Sequence, residues 1–177
     1  MAPKASATRS HTLPSKNIKQ LFILSSGEDK AEDCIDGIRQ EMGEEAAKKV
    51  TWLQCDLSQW EKVTEVAKTI MDKAERLDIL VNNAGRGIMT RSLDEHGVDR
   101  HISLNHLEHA TLVGHLLPLL KKTAAAGHTV RISNQASNAH QSAPSSVEFK
   151  DLEELNQDLG PNAQVRGPSL FWRAVNG

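Results

Sequence analysis

Short apolar runs alternate with stretches of helical periodicity along this chain. Leu21-Phe22-Ile23-Leu24 is a continuous apolar run, as expected of a strand covered on both faces. Ala31, Cys34, Ile35, Ile38 and Met42 then recur at helical spacing, with Ser26 as the expected cap, Glu28 and Asp29 in the first turn and Gly43 as the expected stop. Val50-Thr51-Trp52-Leu53-Gln54-Cys55 predicts a second strand. Ser58-Gln59-Trp60-Glu61 has the form of a capping box, followed by a helix whose stripe is Trp60, Val63, Ala67, Ile70 and Ala74. Leu77-Asp78-Ile79-Leu80-Val81 predicts a third strand, a long helix is expected from about Val98 to Lys122 with Pro118 late in it, and Val130 and Ile132 mark a fourth strand. Glu148 to Glu154 is expected to be a solvated acidic loop. Strands alternating with helices predict an α/β fold, a doubly wound parallel sheet of right-handed crossovers.

Composition narrows the function. A length of 177 residues suits one domain, and 38% hydrophobic with 25% charged residues is an ordinary globular composition. A net charge of −2 argues against a strongly basic nucleic-acid binder. No apolar run approaches the ~18 residues of a transmembrane helix. Cys34 and Cys55 cannot build a disulfide framework, so they are expected to be inert core thiols in a reducing compartment, which points to the cytoplasm. Residues 1–27 hold no Asp or Glu but carry Lys4, Arg9, Lys16 and Lys19, a pattern that also fits a mitochondrial presequence.

In an open α/β sheet, ligands bind beyond the carboxyl ends of the strands. Asp56 follows the second strand, Asn82-Asn83-Ala84-Gly85 the third, and Ser133-Asn134-Gln135-Ala136-Ser137-Asn138 the fourth. Ala and Gly permit close approach to backbone. The asparagine amides are suited to tying neighbouring strand ends together. Ordinary βα turns favour the same residue types, so the pattern alone leaves a site and a set of plain turns both open.

These segments resemble the short-chain dehydrogenases/reductases. Leu77–Gly85 is similar to that family's strand-four motif with its Asn-Asn-Ala-Gly turn, and Cys55-Asp56-Leu57 to its Asp-Leu pair. Asn105, in Leu104-Asn105-His106, matches the helix asparagine, and Arg131–His140 the strand-five segment with its serine at Ser137. His115–Lys122 is also family-like, and the Ser-x-Ala-His ending is closest to the retinol-dehydrogenase-like branch. The resemblance implies a Rossmann-like domain at 21–164, after a basic tail or first-helix remnant at 1–20. It implies NAD or NADP as cofactor, bound through Asp56, Leu57, Asn83, Ala84 and Gly85. It also implies an alcohol or carbonyl substrate, with Ser137 and Asn105 as catalytic residues. No acid or arginine marks the cofactor's 2′ position, where Ser25 and Ser26 stand.

Two parts of that family pattern are missing from this sequence, so the expected sheet is incomplete. No strand with a glycine-rich turn precedes Leu21, where Gly27 is the one glycine before Glu28. In the 3-2-1-4-5 strand order this strand is central. The strands at Leu21 and Leu77 are then expected to present unpaired edges, to be covered by a partner or a second copy. The Tyr-x-x-x-Lys helix is also missing: the chain has 0 tyrosines, and no lysine follows Lys150. The expected consequence is a chain without reductase turnover, acting alternatively as a non-catalytic interaction module or arising as an aberrant gene-model product. His140 is the alternative proton carrier. His101, His106 and His109 suggest a metal, but no carboxylate or cysteine completes a ligand set, so none is expected. Family likeness stops after Gln164, and 165–177 reads as a non-family tail from a shifted frame or retained intron. The coding DNA is the check: a Tyr-Gly-x-x-Lys reading is expected in another frame or a neighbouring exon, and its absence disproves the idea.

Overall fold

The computed structural model describes residues 18–85, 92–137, 148 and 150–156. Most of the basic tail, Asn138, His140 and the 165–177 tail lie outside them. The chain divides into two compact units, Met1–Gln54 and Cys55–Gly177.

In the first unit, β1 (Leu21–Ser25) and β2 (Val50–Gln54) pair in parallel, with Leu21 opposite Val50 and Ser25 opposite Gln54. α1 (Glu28–Met42) and the short α2 (Glu44–Ala47) connect them. Gly43 ends α1 at φ 89°, a left-handed value that explains the glycine, and its N–H closes on the Arg39 carbonyl. The cap of α1 is Gly27 rather than Ser26, and it makes no side-chain cap bond. Ser25 is engaged instead: its hydroxyl donates to the Gly27 carbonyl at 2.9 Å and accepts from the Trp52 indole at 2.9 Å, tying the two strand ends. Cys34, expected in the core, is exposed, and Ala31 is the one residue of α1 that is buried. The stripe is too thin to bury both, because one two-stranded sheet covers little of the helix.

In the second unit, β3 (Ile79–Asn82) and β4 (Arg131–Asn134) pair in parallel, with Leu80 opposite Ile132 and Asn82 opposite Asn134. The pairings β1–β2 and β3–β4 form two separate sheets. The expected fully buried strands are therefore only half-covered, and Ile79, Val81 and Ile132 are 38%, 37% and 40% exposed. α3 (Trp60–Lys73) packs on α5 (Glu108–Ala125). Between β3 and α5 lie α4 (Arg100–Ile102) and a π-helical turn, Ser103–Leu107. The short α6 (Leu152–Leu155) replaces the expected acidic loop. Asp151 caps it by accepting from Glu154 N–H at 2.8 Å, and the Glu154 carboxylate accepts from the N–H groups of Glu148 and Lys150. The charges thus saturate a helix start instead of merely facing water.

The core of this unit is the α3–α5 seam. Val63, Val66, Ala67 and Ile70 bury one face of α3, and Leu112, Leu116, Leu119 and Leu120 one face of α5. Thr64 Oγ1 and His115 Nε2 meet at 3.2 Å across it. Pro118 lies on the exposed face of α5, where it costs the helix the hydrogen bond that an N–H at this position would give to the Gly114 carbonyl. α3 begins at Trp60 with Gln59 as cap, so the expected capping box does not form: Ser58 turns back to Asp56. Replacing Leu116 with Ala leaves a cavity where the side chain is fully buried. Urea unfolding is expected to show a loss of about 2–5 kcal/mol, against less than about 1 kcal/mol for Leu117→Ala at the exposed neighbour.

Candidate dinucleotide site

The site residues all belong to the second unit. The turn after β2 begins at buried Cys55, whose thiol is pushed up to about 11 by burial and by the nearby charges of Asp56 and Glu108. The thiol is thus inert, as the sequence predicted. Asp56 Oδ1 accepts from Ser58 N–H at 2.9 Å and Ser58 Oγ at 2.8 Å, while its carbonyl accepts from Gln59 N–H at 3.0 Å. These bonds fix Asp56 and half-buried Leu57 on a tight turn leading into α3.

At the carboxyl ends of β3 and β4 the asparagines act as the sequence predicted. Asn82 is buried, and its amide donates to Asn134 Oδ1 at 2.8 Å; its carbonyl accepts from Gln135 N–H at 2.9 Å. This clasp holds the two strand ends in register just before Asn83, Ala84 and Gly85, all exposed. A Cβ placed on Gly85 would lie 3.4 Å from Asn105 Oδ1. Asn105 reaches that position from the π turn, whose extra residue widens the helix there. The fold therefore brings Asn105 to Gly85 and Asn82 to Asn134. Ser137 is exposed, past the end of β4. The missing side chain at Gly85 is the feature that suits a cofactor in contact with backbone.

Behind Asn105 lies a polar layer that sequence reasoning missed. Glu108 is fully buried, and neither carboxyl oxygen has a hydrogen-bond partner. The one sequence signal was its spacing, a charge at the head of the stripe that continues through Leu112 and Leu116, a position that periodicity assigns to an apolar side chain. Burial, then the charges of Asp94 and Glu61, push its carboxyl up to about 7. Asp94 is also buried. Burial works to raise its carboxyl, but hydrogen bonds from Val98 N–H, Ser103 and His96 N–H outweigh that and hold it below its ordinary value. His101, weighed as a metal ligand, is buried against the Asp99 carboxylate at 3.0 Å. His106 and His109 are both held below the ordinary histidine value by burial. At the surface, Glu61, Glu95 and His96 bring ligand-type atoms within 4.8 Å of one another, and the His96 ring lies 4.5 Å from that of Trp60. All three are exposed.

A short chain dehydrogenase profile matches residues 9–146. The mitochondrial oxidoreductase bli-4 of Neurospora crassa is 50% identical over 155 residues, covering 87% of this chain and 38% of bli-4. Human retinol dehydrogenase 13 is 33% identical over 121 residues, covering 68% of this chain and 35% of the relative. Among solved structures, RhlG of Pseudomonas aeruginosa in complex with NADP superposes with a TM-score of 0.56 at 25% identity, covering 85% of this chain and 52% of RhlG. The chain belongs to the short-chain dehydrogenase/reductase family, with the incomplete Rossmann-like α/β fold described above. It spans about a third to two-fifths of the length of these two curated relatives.

Asn82→Ala removes the clasp. An expected loss of about 1–3 kcal/mol in unfolding free energy is accompanied by faster amide exchange at Gln135, whose N–H bonds the Asn82 carbonyl. Unchanged exchange there would show that the clasp does not hold β4.

Proposed function

We propose that this chain is a dinucleotide-binding member of its family, taking NAD or NADP, that does not itself turn over substrate. The observation that carries the reading is Asn105 converging on side-chain-free Gly85 beside the Asn82–Asn134 clasp. Asp56 and Leu57 would hold the adenine end of the cofactor, and Asn83, Ala84 and Gly85 would line its path. NADP in the RhlG complex supports the choice of cofactor class. A bound cofactor would supply or accept hydride at an alcohol or carbonyl carbon. Ser137 would hold the substrate oxygen and Asn105 would order a proton-relay water. No phenol in the 177 residues serves as the general acid/base, since the tyrosine count is 0. Residues 21–164 constitute the partial domain in this reading.

A second reading is a non-catalytic module whose partner, or second copy, covers the β3–β4 sheet. The exposure of Ile79, Val81 and Ile132 favours it. No helix of the described residues is long and apolar enough to cross a membrane. The cytoplasm is the proposed compartment. The mitochondrial label of bli-4, together with the acid-free residues 1–27, supports the mitochondrion as the alternative; a fluorescent fusion of the full chain decides by where its signal lies.

Titration of the full chain with NADPH and NADH, read by nicotinamide fluorescence, tests the first reading. Saturable binding is expected, weakened about tenfold, equivalent to about 1.4 kcal/mol, in Asp56→Ala. No oxidation of NADPH by carbonyl substrates is expected. Folded protein that binds neither nucleotide and runs as a defined oligomer favours the second reading. Measurable carbonyl reduction overturns the claim of no turnover.

A further inference from the structure

Glu108 is a buried acid that the site above does not use. It stands where the π turn meets α5, and its backbone N–H donates to the Ser103 carbonyl across the turn that holds Asn105. Both carboxyl oxygens are enclosed without a hydrogen-bond partner. A neutral carboxyl tolerates such a place at modest cost, but a carboxylate does not.

The groups around it offer no compensating charge. From α3 comes Glu61, while Lys62 is turned to Glu65 at 2.8 Å. From the segment before α4 comes Asp94, whose own hydrogen bonds keep it ionised at lower pH than usual. His96, beside it, lies against the Trp60 ring and near Glu95. From the turn after β2 comes the Cys55 thiol, neutral through the physiological range. On the same helical segment, burial lowers both His106 and His109, which disfavours their charged forms. His115, further along, is bonded to Thr64.

We propose that Glu108 is a proton-operated switch: neutral, it seats the Asn105 turn against α3; ionised, it draws in water and loosens that seat. The inference does not depend on dinucleotide binding, because it concerns the packing of the turn alone. The direction follows from linkage. The folded chain holds the Glu108 proton up to about pH 7, whereas the unfolded chain releases it near the ordinary value of 4.5. The stabilisation is complete below about 4.5 and is lost as pH rises through about 7. Asp94 and Glu154, whose values are lowered from below that window, contribute in the opposite direction at lower pH, and the lowered His106 and His109 oppose the fall up to about pH 6.5.

Thermal unfolding of the full chain from pH 5 to 8, followed by tryptophan fluorescence, reads the switch. The midpoint is expected to fall by about 5–10 °C across that range in the wild type. In Glu108→Gln, which keeps the shape without the charge, the fall is expected to vanish, leaving only the rise with pH that the lowered His106 and His109 contribute up to about 6.5. If Glu108→Gln does not fold, Glu61→Gln supplies the reading: losing that neighbouring charge moves the transition to lower pH by a few tenths of a unit. A flat wild-type profile, a fall that persists in Glu108→Gln, or a transition that Glu61→Gln leaves in place overturns the proposal.

Discussion

The second unit depends on the seam between α3 and α5. Val63, Ala67, Leu116 and Leu120 are almost fully buried in a layer only two helices thick. Burial of this apolar area is the main favourable term available to the unit, because its sheet has only two strands. The seam also sets the site. Leu77 N–H donates to Thr123 Oγ1 at 2.9 Å, so the far end of α5 aligns the entry to β3. The near end of the same helical run carries Asn105 to the exit of β3. One packed helix thus determines where the strand begins and what its carboxyl end faces.

Much of this was legible from periodicity. The four strands, the main helices and the Asn-Asn-Ala-Gly turn fall where the apolar runs and helical spacing put them. Even the amide link between strand ends follows from having asparagine at both. The deviations have physical reasons. Ser58 donates both its N–H and its hydroxyl to Asp56 Oδ1, so an Asx turn takes the residue that the capping box would need as an acceptor. Cys34 belongs to a stripe that a single two-stranded sheet is too narrow to cover. The acidic stretch ending at Glu154 forms a helical turn because Asp151 and Glu154 satisfy its backbone donors.

What periodicity conceals is polarity inside an apolar stripe. Glu108 occupies a core position that the spacing of Leu112 and Leu116 assigns to an apolar side chain. The π turn before it was equally hidden, since a single added residue leaves hydrophobic spacing almost unchanged over a long helix. Asn105 lies inside the one departure and just before the other. Local consistency yields there, and position is set by tertiary packing instead.

Asn156, the residue after α6, carries a consequence for how this unit assembles. Its side chain accepts from Asp99 N–H at 2.8 Å and donates to the Gly97 carbonyl at 2.6 Å, closing a loop with a sequence separation of 57 to 59 residues. Leu155 beside it packs against Val98 and Ile102. Closing a loop of that size costs about as much as closing the 51-residue one at Thr64–His115 across the seam, so the Asn156 contacts and the seam stand on an equal entropic footing. The Gly97 turn, closed locally by Gly97 N–H on the Asp94 carbonyl, is thereby held from a second side. A segment far along the chain thus fixes the approach to the Asn105 helix.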